Sequence, residues 1–229
     1  MVWQKGGLEV KKVVVYGGTA NIYHNMRVAL NSLLANNKID RVYLLIEDDS
    51  FPFPLPNNVK VINVSEQPYF PPTGANFHKR WTYMTLMRCA LTKILPKENL
   101  VLWLDCDTIV DADISELFEI NMDAYYYAGV LEPQKSHVNG YINTGVLLVN
   151  LDKLREDEFE DELIDYINTT NLSFPDQDAI NRLSQFQIRY ISGKYNVSPF
   201  TEQSDEKKIY HFAGNAIFET NKYYQKYKG

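Results

Sequence analysis

The chain has 229 residues, of which 45% are hydrophobic, so it can bury a sizeable core and has the length of one α/β domain. Its formal net charge of −6 argues against general nucleic-acid binding, because that binding depends on lysine and arginine neutralising phosphates. Its 2 cysteines cannot build a disulfide framework, and no apolar run near the N-terminus is long enough for a signal peptide, which predicts a cytoplasmic protein. In that compartment the Asn-Xaa-Ser/Thr glycosylation patterns are chance matches, at Asn63, Asn168, Asn171 and Asn196.

The N-terminal part of the chain alternates between strand and helix patterns. Apolar, β-branched runs predict strands at 10–16, 41–46 and 59–64. After the first strand, Gly17-Gly18 predicts a turn, and apolar residues at helical spacing predict a helix over 22–35. A second helix is predicted over 80–95 and ends at Pro96. This alternation is typical of a parallel sheet with helices on its faces.

An apolar strand predicted at 100–104 ends directly in the sequence Asp105-Cys106-Asp107. A run such as LVLWL is typical of a strand buried on both faces, and open α/β sheets bind ligands beyond the carboxyl ends of such strands. Two carboxylates separated by one residue can face a single hard cation, and oxygen ligands of this kind suit magnesium or manganese. The alternative is a solvated turn whose aspartate caps a helix.

The C-terminal part is less regular. Strands are predicted at 125–130, 141–149 and 209–212. An apolar stripe formed by Phe159, Leu163 and Ile167 predicts one helix, and a short helix is predicted after Pro175. The predicted fold class is therefore α/β, a single domain over 1–229 with a Rossmann-like, mostly parallel sheet flanked by helices.

Five sequence blocks resemble those of glycosyltransferase family 8, which includes glycogenin and bacterial lipopolysaccharide galactosyltransferases. The segment LVLWLDCDTIVDADISELF is similar to the family's Asp-Xaa-Asp region, and Arg88 lies in RCALTKILP, which is similar to its arginine helix. Three further blocks follow in the family's order, YINTGVLLVN at 141–150, PDQDAIN at 175–181 and YHFAG at 210–214. The resemblance extends from residue 13 to about 215 and implies a GT-A fold.

The resemblance implies retaining transfer of a hexose, glucose or galactose, from a UDP-sugar to a glycan or other cell-surface acceptor. It implies Mn²⁺, or Mg²⁺, as the cofactor, held by Asp105, Asp107 and His211, a mixed oxygen and nitrogen set that manganese accepts. It also divides the domain into a nucleotide-binding half at about 10–110, an acceptor-side half at about 111–215 and a C-terminal tail at 216–229.

Residues that match the family's other motif positions are implied to bind the nucleotide-sugar or to act on it. The implied nucleotide-sugar contacts are Gly17, Gly18, Thr19, Ala20, Tyr23, Arg88, Asp105, Cys106, Glu132, Asn143, Thr144 and Gly214. Among them, Tyr23 matches the tyrosine that stacks on uracil. The implied catalytic residues are Arg88, Asp176 and Gln177, with Gln177 the first candidate beside the reacting carbon.

Each of these positions also has a structural alternative. Gly17-Gly18 can be a plain turn, Arg88 a partner in a surface ion pair, and a lone histidine such as His211 a packed core residue. Asn143 and Asp176 can be caps of a strand and a helix, and Asp178 is expected to support structure.

The sequence departs from the family at two places. The acidic residue that many relatives carry at the start of the first loop aligns with Ala20, which bears on uracil selectivity. The lysine that relatives place after the late glycine is absent, because Gly214 is followed by Asn215 and Ala216. Lys222 is the candidate to replace it from a shifted loop.

Two other functions share parts of this pattern. A sugar-phosphate nucleotidyltransferase also uses a glycine-rich loop and metal-binding carboxylates, but GGTANIY is shorter than the phosphate loop expected there. A non-catalytic sugar-nucleotide-binding protein is favoured by the missing lysine and disfavoured by the retained acidic and histidine residues.

The C-terminal segment NKYYQKYKG combines three lysines with three tyrosines. Basic, aromatic tails can bind an anionic membrane surface, which here would be the inner face of the cell membrane. The alternative is a helix end that packs its tyrosines locally.

Overall fold

The computed structural model describes residues 10–79, 81–133, 140–214 and 218–229. The strands in these ranges are β1 (Val13–Gly17), β2 (Arg41–Ile46), β3 (Val59–Asn63), β4 (Leu100–Leu104), β5 (Thr108–Val110), β6 (Tyr127–Leu131), β7 (Ile142–Asn150), β8 (Ile188–Tyr190) and β9 (Ile209–His211). The α-helices are α1 (Tyr23–Asn36), α2 (Leu91–Ile94), α3 (Leu151–Glu156), α4 (Phe159–Thr169), α5 (Pro175–Leu183) and α6 (Lys222–Tyr227). The 3₁₀ helices are Ala20–Ile22, Tyr83–Cys89, Ser115–Glu119, Gly193–Tyr195 and Phe218–Thr220.

Seven of the described strands form one sheet in the order β3-β2-β1-β4-β7-β6-β8, and β5 and β9 form a separate pair. In β1 and β4 nearly every residue is buried, as expected for central strands covered on both faces. One apolar core lies against α1, and another lies on the opposite face under α2, α3, α4 and α5. The predicted α/β class, with a mostly parallel sheet flanked by helices, is confirmed.

The direction of the strands decides where a site can form. β1 runs parallel to both β2 and β4, whereas β7 runs antiparallel to β4 and β6. Because parallel strands end at the same edge, the loop after β1 and the acidic segment after β4 emerge side by side. This edge is the one at which the sequence predicted ligand binding.

The pairing between β6 and β7 is interrupted in the middle. Gly129 of β6 pairs with Leu147, whereas the next residue, Val130, pairs with Asn143, so residues 144–146 of β7 form a bulge. Bulges release backbone groups from the regular ladder and occur often beside active sites. Here the bulge lies next to the carboxyl end of β4, where Leu104 pairs with Val146.

The prediction of one continuous helix over 80–95 is wrong. The structure has a 3₁₀ helix at Tyr83–Cys89 followed by the single turn of α2, while Arg80 lies outside the described residues. Thr82 has a φ of 60°, which a β-branched residue rarely adopts, and Ala90 leaves helical geometry with a φ of −130°. Helical apolar spacing cannot distinguish this tight, interrupted segment from a regular α-helix.

Among the described strands and α-helices, three short elements were missed by the sequence patterns, namely β5, β8 and α3. Each strand has only three residues, too few to show alternation, and α3 follows directly on the last residue of β7. The missed β5 proves important, because its ladder with β9 carries His211 to the acidic segment.

The C-terminal segment packs against the protein rather than presenting its tyrosines outward. Tyr224 and Tyr227 are buried, and the Tyr227 carbonyl accepts a hydrogen bond of 3.0 Å from Asn31 of α1. Lys226 forms an ion pair with Asp111. Local packing is therefore confirmed for these two tyrosines, and the membrane contact predicted for this segment finds no support. None of the described helices has the length and apolarity needed to cross a membrane.

A carboxyl group lies inside the core on the face of the sheet that α2, α3, α4 and α5 cover. Glu160 of α4 is buried and accepts hydrogen bonds from the backbone and hydroxyl of Thr92, the backbone bond measuring 2.9 Å. Burial raises the pKa of Glu160 from its ordinary value of 4.5 to about 7, although the bonds from Thr92 oppose the rise. Ionised Glu160 therefore favours the unfolded chain over the folded one.

Replacing Glu160→Gln tests this cost. Between pH 4.5 and about 7 the folded state retains a proton that the unfolded state has lost, so wild-type stability falls as pH rises. From the lower to the upper end of that interval, we expect the difference in free energy of unfolding, variant minus wild type, to rise by about 3 kcal/mol. Urea unfolding at pH 4.5 and 7.5 measures the difference. Glu162→Gln, at an exposed position of α4, is the control and should change stability equally at both pH values.

Candidate active site

Three potential metal ligands meet at the carboxyl edge of the sheet. Asp105 and Asp107 follow β4, and the β5–β9 ladder places His211 opposite Thr108. The Nε2 atom of His211 lies 3.4 Å from a carboxylate oxygen of Asp107 and 3.9 Å from one of Asp105. One ligand atom from each residue lies within 4.8 Å of the others. The structure thus brings together all three residues that the sequence predicted to bind metal.

The turn that carries the two aspartates is held by backbone and side-chain bonds. The Asp105 amide donates to the Gly145 carbonyl at 2.8 Å, and the Thr108 hydroxyl donates to the Asp105 carbonyl at 2.7 Å. The Cys106 thiol points inward and donates to the Gly17 carbonyl at 3.3 Å. Burial raises the pKa of this thiol well above its ordinary range, and the neighbouring carboxylates add to the rise. Cys106 therefore anchors the turn to β1 through its side chain.

The ligand set fits a divalent cation. Two carboxylate oxygens and one imidazole nitrogen are suitable ligands for manganese, and they converge from two sides. Burial alone would raise the pKa of Asp107, but the charge and hydrogen bond of His211 outweigh it and leave this pKa below its ordinary value. Burial conversely lowers the pKa of His211, and Asp107 more than offsets this and raises it. The ring thus lies in a site built for positive charge.

Space around the cluster depends on a glycine. A Cβ atom placed on Gly145 would lie 2.1 Å from Cε1 of His211, far inside contact distance. Only glycine at this position of the β7 bulge allows the imidazole to lie against the strand. This requirement is invisible in the sequence, where Gly145 reads as part of an apolar strand.

Arg88 lies inside the protein, so the alternative of a surface ion pair is wrong. The guanidinium is 3% exposed and contacts Asp105 at 2.7 Å and Asp176 at 3.2 Å. A third N–H donates to the Thr144 carbonyl at 2.5 Å, and the group lies 4.8 Å from the centre of the Trp103 ring. Burial lowers the pKa of Arg88, but the two carboxylates outweigh it and raise it further above its ordinary value.

The first turn of α5 brings two buried polar side chains beside Arg88. Asp176 accepts from the Thr144 hydroxyl at 3.0 Å and contacts Arg88, so it binds across the site instead of capping its helix. The Gln177 side-chain oxygen accepts from the Thr144 amide at 3.1 Å. Burial raises the pKa of Asp176, and Arg88 opposes the rise. The structure therefore places the predicted catalytic residues in one contiguous group.

Glu132 and Asn143 complete the polar lining. One Glu132 oxygen accepts from the amide nitrogens of Gln177 and Asn143, each at 3.1 Å. Asp178 instead accepts from the amides of Ser173 and Phe174 and from the Tyr141 hydroxyl, in keeping with its expected supporting role.

The loop after β1 forms the neighbouring rim. The Gly18 amide donates to the Leu45 carbonyl at 3.1 Å, and a Cβ atom on Gly17 would meet the Trp103 ring at 2.6 Å. Thr19 is partly exposed and Ala20 is exposed, so this part of the loop can contact a ligand. Gly17, the last residue of β1, thus makes room for the tryptophan under Arg88.

Tyr23 lies beneath this rim with little of its surface open. Its ring is 5% exposed and lies 5.4 Å from that of Phe51, and its hydroxyl donates to Asp48 at 2.8 Å. Burial, with help from Asp48, raises the pKa of Tyr23 to about 12. Asp48 was not singled out from the sequence, although it belongs to the acidic run that follows β2. It supplies an acidic group beside the loop that carries Ala20.

The remaining predicted positions lie at the C-terminal side. Gly214 has a φ of +66°, a conformation that favours glycine, and it lies three residues after His211. The positions at which relatives carry the lysine fall on residues 215–217, outside the described residues. Lys222 lies on α6, with its Nζ atom 4.9 Å from the centre of the Tyr223 ring.

One buried polar residue of the site was missed altogether. Asn196 is fully buried, accepts from His211 and donates to Asn143. Its only sequence signal was an Asn-Xaa-Ser pattern, interpreted as chance.

Comparison with known proteins assigns this arrangement to a family. The family model of glycosyl transferase family 8 matches residues 13–218. A putative glycosyltransferase of Haemophilus influenzae is 27% identical over 150 residues, covering 58% of this chain and 46% of its own length. Glycosyltransferase GlyE of Streptococcus pneumoniae serotype 4 is 26% identical over 201 residues, covering 81% of this chain and 48% of its own length.

Solved structures show the same fold. GlyE superimposes with a TM-score of 0.71 at 21% identity, over 96% of this chain and 60% of its own. The galactosyltransferase LgtC, solved with donor and acceptor sugar analogues, has a TM-score of 0.69 at 19% identity, over 89% and 88% of the two chains. The fold implied by the sequence resemblance, GT-A, is thereby confirmed. The chain spans about half the length of the two curated relatives.

Replacing Gly145→Ala should weaken metal binding without changing a ligand. The added methyl group overlaps the His211 ring, so we expect the imidazole to move and Mn²⁺ affinity to fall by roughly tenfold or more, as after loss of a supporting group around a metal. Titration calorimetry measures the affinity. The double variant Gly145→Ala/His211→Ala has no ring for the methyl group to overlap. It should therefore be more thermally stable than the single variant but should still bind Mn²⁺ weakly. Wild-type affinity in the single variant would contradict the assignment of His211.

Proposed function

The chain belongs to glycosyl transferase family 8, and we propose that it is a metal-dependent, retaining hexosyltransferase. It would transfer glucose or galactose from a UDP-sugar to a glycan acceptor. The observation that carries this proposal is the contiguity of two groups: the Asp105, Asp107 and His211 cluster is joined to Asp176 through the buried Arg88. A diphosphate end and a sugar end of one donor would then lie next to each other.

At the diphosphate end, the reaction needs a leaving group that is stabilised more strongly in the transition state than in the ground state. A divalent cation held by Asp105, Asp107 and His211 would supply Lewis-acid stabilisation of the departing UDP. Arg88 has its guanidinium bonded to Asp105, Asp176 and the Thr144 carbonyl. We therefore assign it to holding the two carboxylates in position and adding positive charge behind them, rather than to a direct phosphate contact.

At the sugar end, Asp176 and Gln177 lie on α5 and Glu132 follows β6, with Gln177 donating to Glu132 and Asp176 accepting from Thr144. Sugar recognition requires such converging donors and acceptors, because unpaired polar groups in a closed site are costly. We assign Gln177 the position beside the reacting carbon of the donor sugar. Gln177 or Asp176 could act as the nucleophile, and attack by the acceptor on the same face is the other route to retention.

The uridine would lie over the rim formed by Thr19 and Ala20. Glycines at the end of β1 allow close approach of a ligand to backbone. Tyr23 and Asp48 would form the floor of this rim through their mutual hydrogen bond, and Asp48 would then be an acidic group close to the base. For Tyr23 to stack on uracil, more of its ring would have to be exposed than the structure shows.

Support for a hexose donor comes from the likeness to LgtC, which is named as a galactosyltransferase. Family membership disfavours the alternative of a sugar-phosphate nucleotidyltransferase. A non-catalytic sugar-nucleotide-binding protein is separated from a transferase by turnover. The cytoplasmic location stays a prediction.

The direct test is release of UDP from UDP-glucose and UDP-galactose in the presence of Mn²⁺. We expect slow hydrolysis by the wild type, and in Asp107→Asn a fall of roughly 100-fold or more, because loss of a ligand exceeds the roughly 10–100-fold cost of losing a supporting group. Asp107 is the cleaner target, since Asp105 also binds Arg88 and Trp103. Asp113→Asn, an exposed carboxylate after β5, is the control. Nucleotide binding without UDP release would favour the non-catalytic alternative.

The role of Gln177 is tested by separating turnover from binding. Gln177→Ala should lower turnover by roughly 100-fold with little change in donor affinity, since it would act on charge that develops only in the transition state. Asn181→Ala, one turn along α5, controls for loss of contacts with β7, because Asn181 bonds the backbone of Ile142. NMR of the first-formed product should show an α linkage from an α-linked donor. A β linkage would refute retention.

A further inference from the structure

A continuous chain of buried amide groups links the sugar end of the site to the metal ligands. Glu132 accepts from Asn143 at 3.1 Å, Asn143 accepts from Asn196 at 2.8 Å, and the Asn196 oxygen lies 2.9 Å from Nδ1 of His211. Glu132, Asn143, Asn196 and His211 are at most 7% exposed. In such surroundings each group must satisfy its hydrogen bonds within the chain.

The direction of every bond in this chain follows from one backbone amide. The Gly145 N–H can only donate, and it points to the Asn143 side chain at 3.0 Å, so the atom that faces it is the oxygen. That oxygen also receives the bond from Asn196, which must therefore present its NH₂ group. The Asn196 oxygen is left to face His211, and Nδ1 must carry a proton to bond with it.

The side chains at the sugar end of this hydrogen-bond chain are also oriented by a backbone amide. The Thr144 N–H donates to the Gln177 oxygen, which turns the NH₂ group of Gln177 toward Glu132. The two consecutive amides of the β7 bulge, 144 and 145, thus orient Gln177 on one side and Asn143 on the other. Both side chains end on the same Glu132 oxygen.

We propose that Asn196 is a positioning residue that fixes His211 in the tautomer with Nδ1 protonated and Nε2 free to bind the metal. The inference rests on the metal site of the proposed function. Without Asn196, the carboxylates of Asp105 and Asp107, at 3.9 and 3.4 Å from Nε2, would attract the proton to that nitrogen. A protonated Nε2 has no lone pair for a cation, so the ligand would be blocked.

The tautomer can be observed in the wild type without a metal. In ¹⁵N NMR of histidine-labelled protein, His211 is identified by the spectrum of His211→Ala. At a pH at which one ring nitrogen is deprotonated, we expect Nδ1 to carry the proton. At that pH, a proton on Nε2 and none on Nδ1 in the metal-free wild type would overturn the proposal.

Metal affinity then tests the contribution of the side chain. Asn196→Leu should weaken Mn²⁺ binding by roughly 10–100-fold, the usual cost of losing the partner of a metal-binding histidine. Thr201→Val is the matched control: the buried Thr201 hydroxyl donates to the Asn196 carbonyl, so this variant loosens the same loop without changing the bond to His211. It should lose thermal stability and keep wild-type Mn²⁺ affinity. Equal losses of affinity in both variants would show a general effect of the loop and overturn the proposal.

These measurements use no donor, so their outcome is separate from that of the turnover assay. If Mn²⁺ binding depends on His211 and Asn196 but UDP-sugars are not hydrolysed, the positioning role stands and the transferase proposal fails. If UDP is released with Mn²⁺ while Asn196→Leu binds the metal as the wild type does, the proposed function stands and the role of Asn196 is refuted.

Discussion

The site depends on one buried cation, the guanidinium of Arg88. It joins the carboxylate of Asp105, which follows β4, to that of Asp176, in the first turn of α5. Removing one partner of a buried ion pair typically costs about 3–5 kcal/mol, because the other charge is left without compensation. Arg88 therefore fixes the two carboxylates relative to each other. The metal cluster and the sugar-binding groups form one unit as a result. The interrupted 3₁₀ segment that ends at Cys89 is the element that brings Arg88 to this place.

The β7 bulge serves as the template around that cation. Its Thr144 carbonyl accepts from Arg88 and its Thr144 amide donates to Gln177. Its Gly145 carbonyl accepts from Asp105 and its Gly145 amide donates to Asn143. The Gly145 carbonyl continues the pairing with β4, whereas the other three groups lie beside the register shift against β6 and bond side chains of the site instead of ladder partners. Backbone groups cannot rotate as side chains do, which makes them suitable for setting the orientation of amides and of an imidazole tautomer.

Much of the fold was predictable because its signals are local. The buried runs of β1 and β4 have no charged residue, as a strand covered on both faces requires, and the change to Asp105 marks the end of the covered region. The segment around Arg88 defeated the same reasoning, because 3₁₀ and α-helices share similar apolar spacing. The tail was also ambiguous, since a tyrosine that packs on α1 and one that faces a membrane have the same chemistry. The inward packing of Tyr227 is decided by its hydrogen bonds with Asn31 and Asn36 of α1.

For the site itself, the sequence by itself determined which residue types were present and in what order: two aspartates after an apolar strand, an arginine before it, and a late histidine. Their order along the chain carried the resemblance to the family. The resemblance implied that His211 shares a metal with the two aspartates, but only the tertiary structure decided how they meet, through a three-residue ladder whose strands are too short to leave a pattern. It also decided that Arg88 is buried and that Asn196 belongs to the site. Contacts between residues far apart in sequence depend on how whole elements pack, and no local pattern encodes that packing.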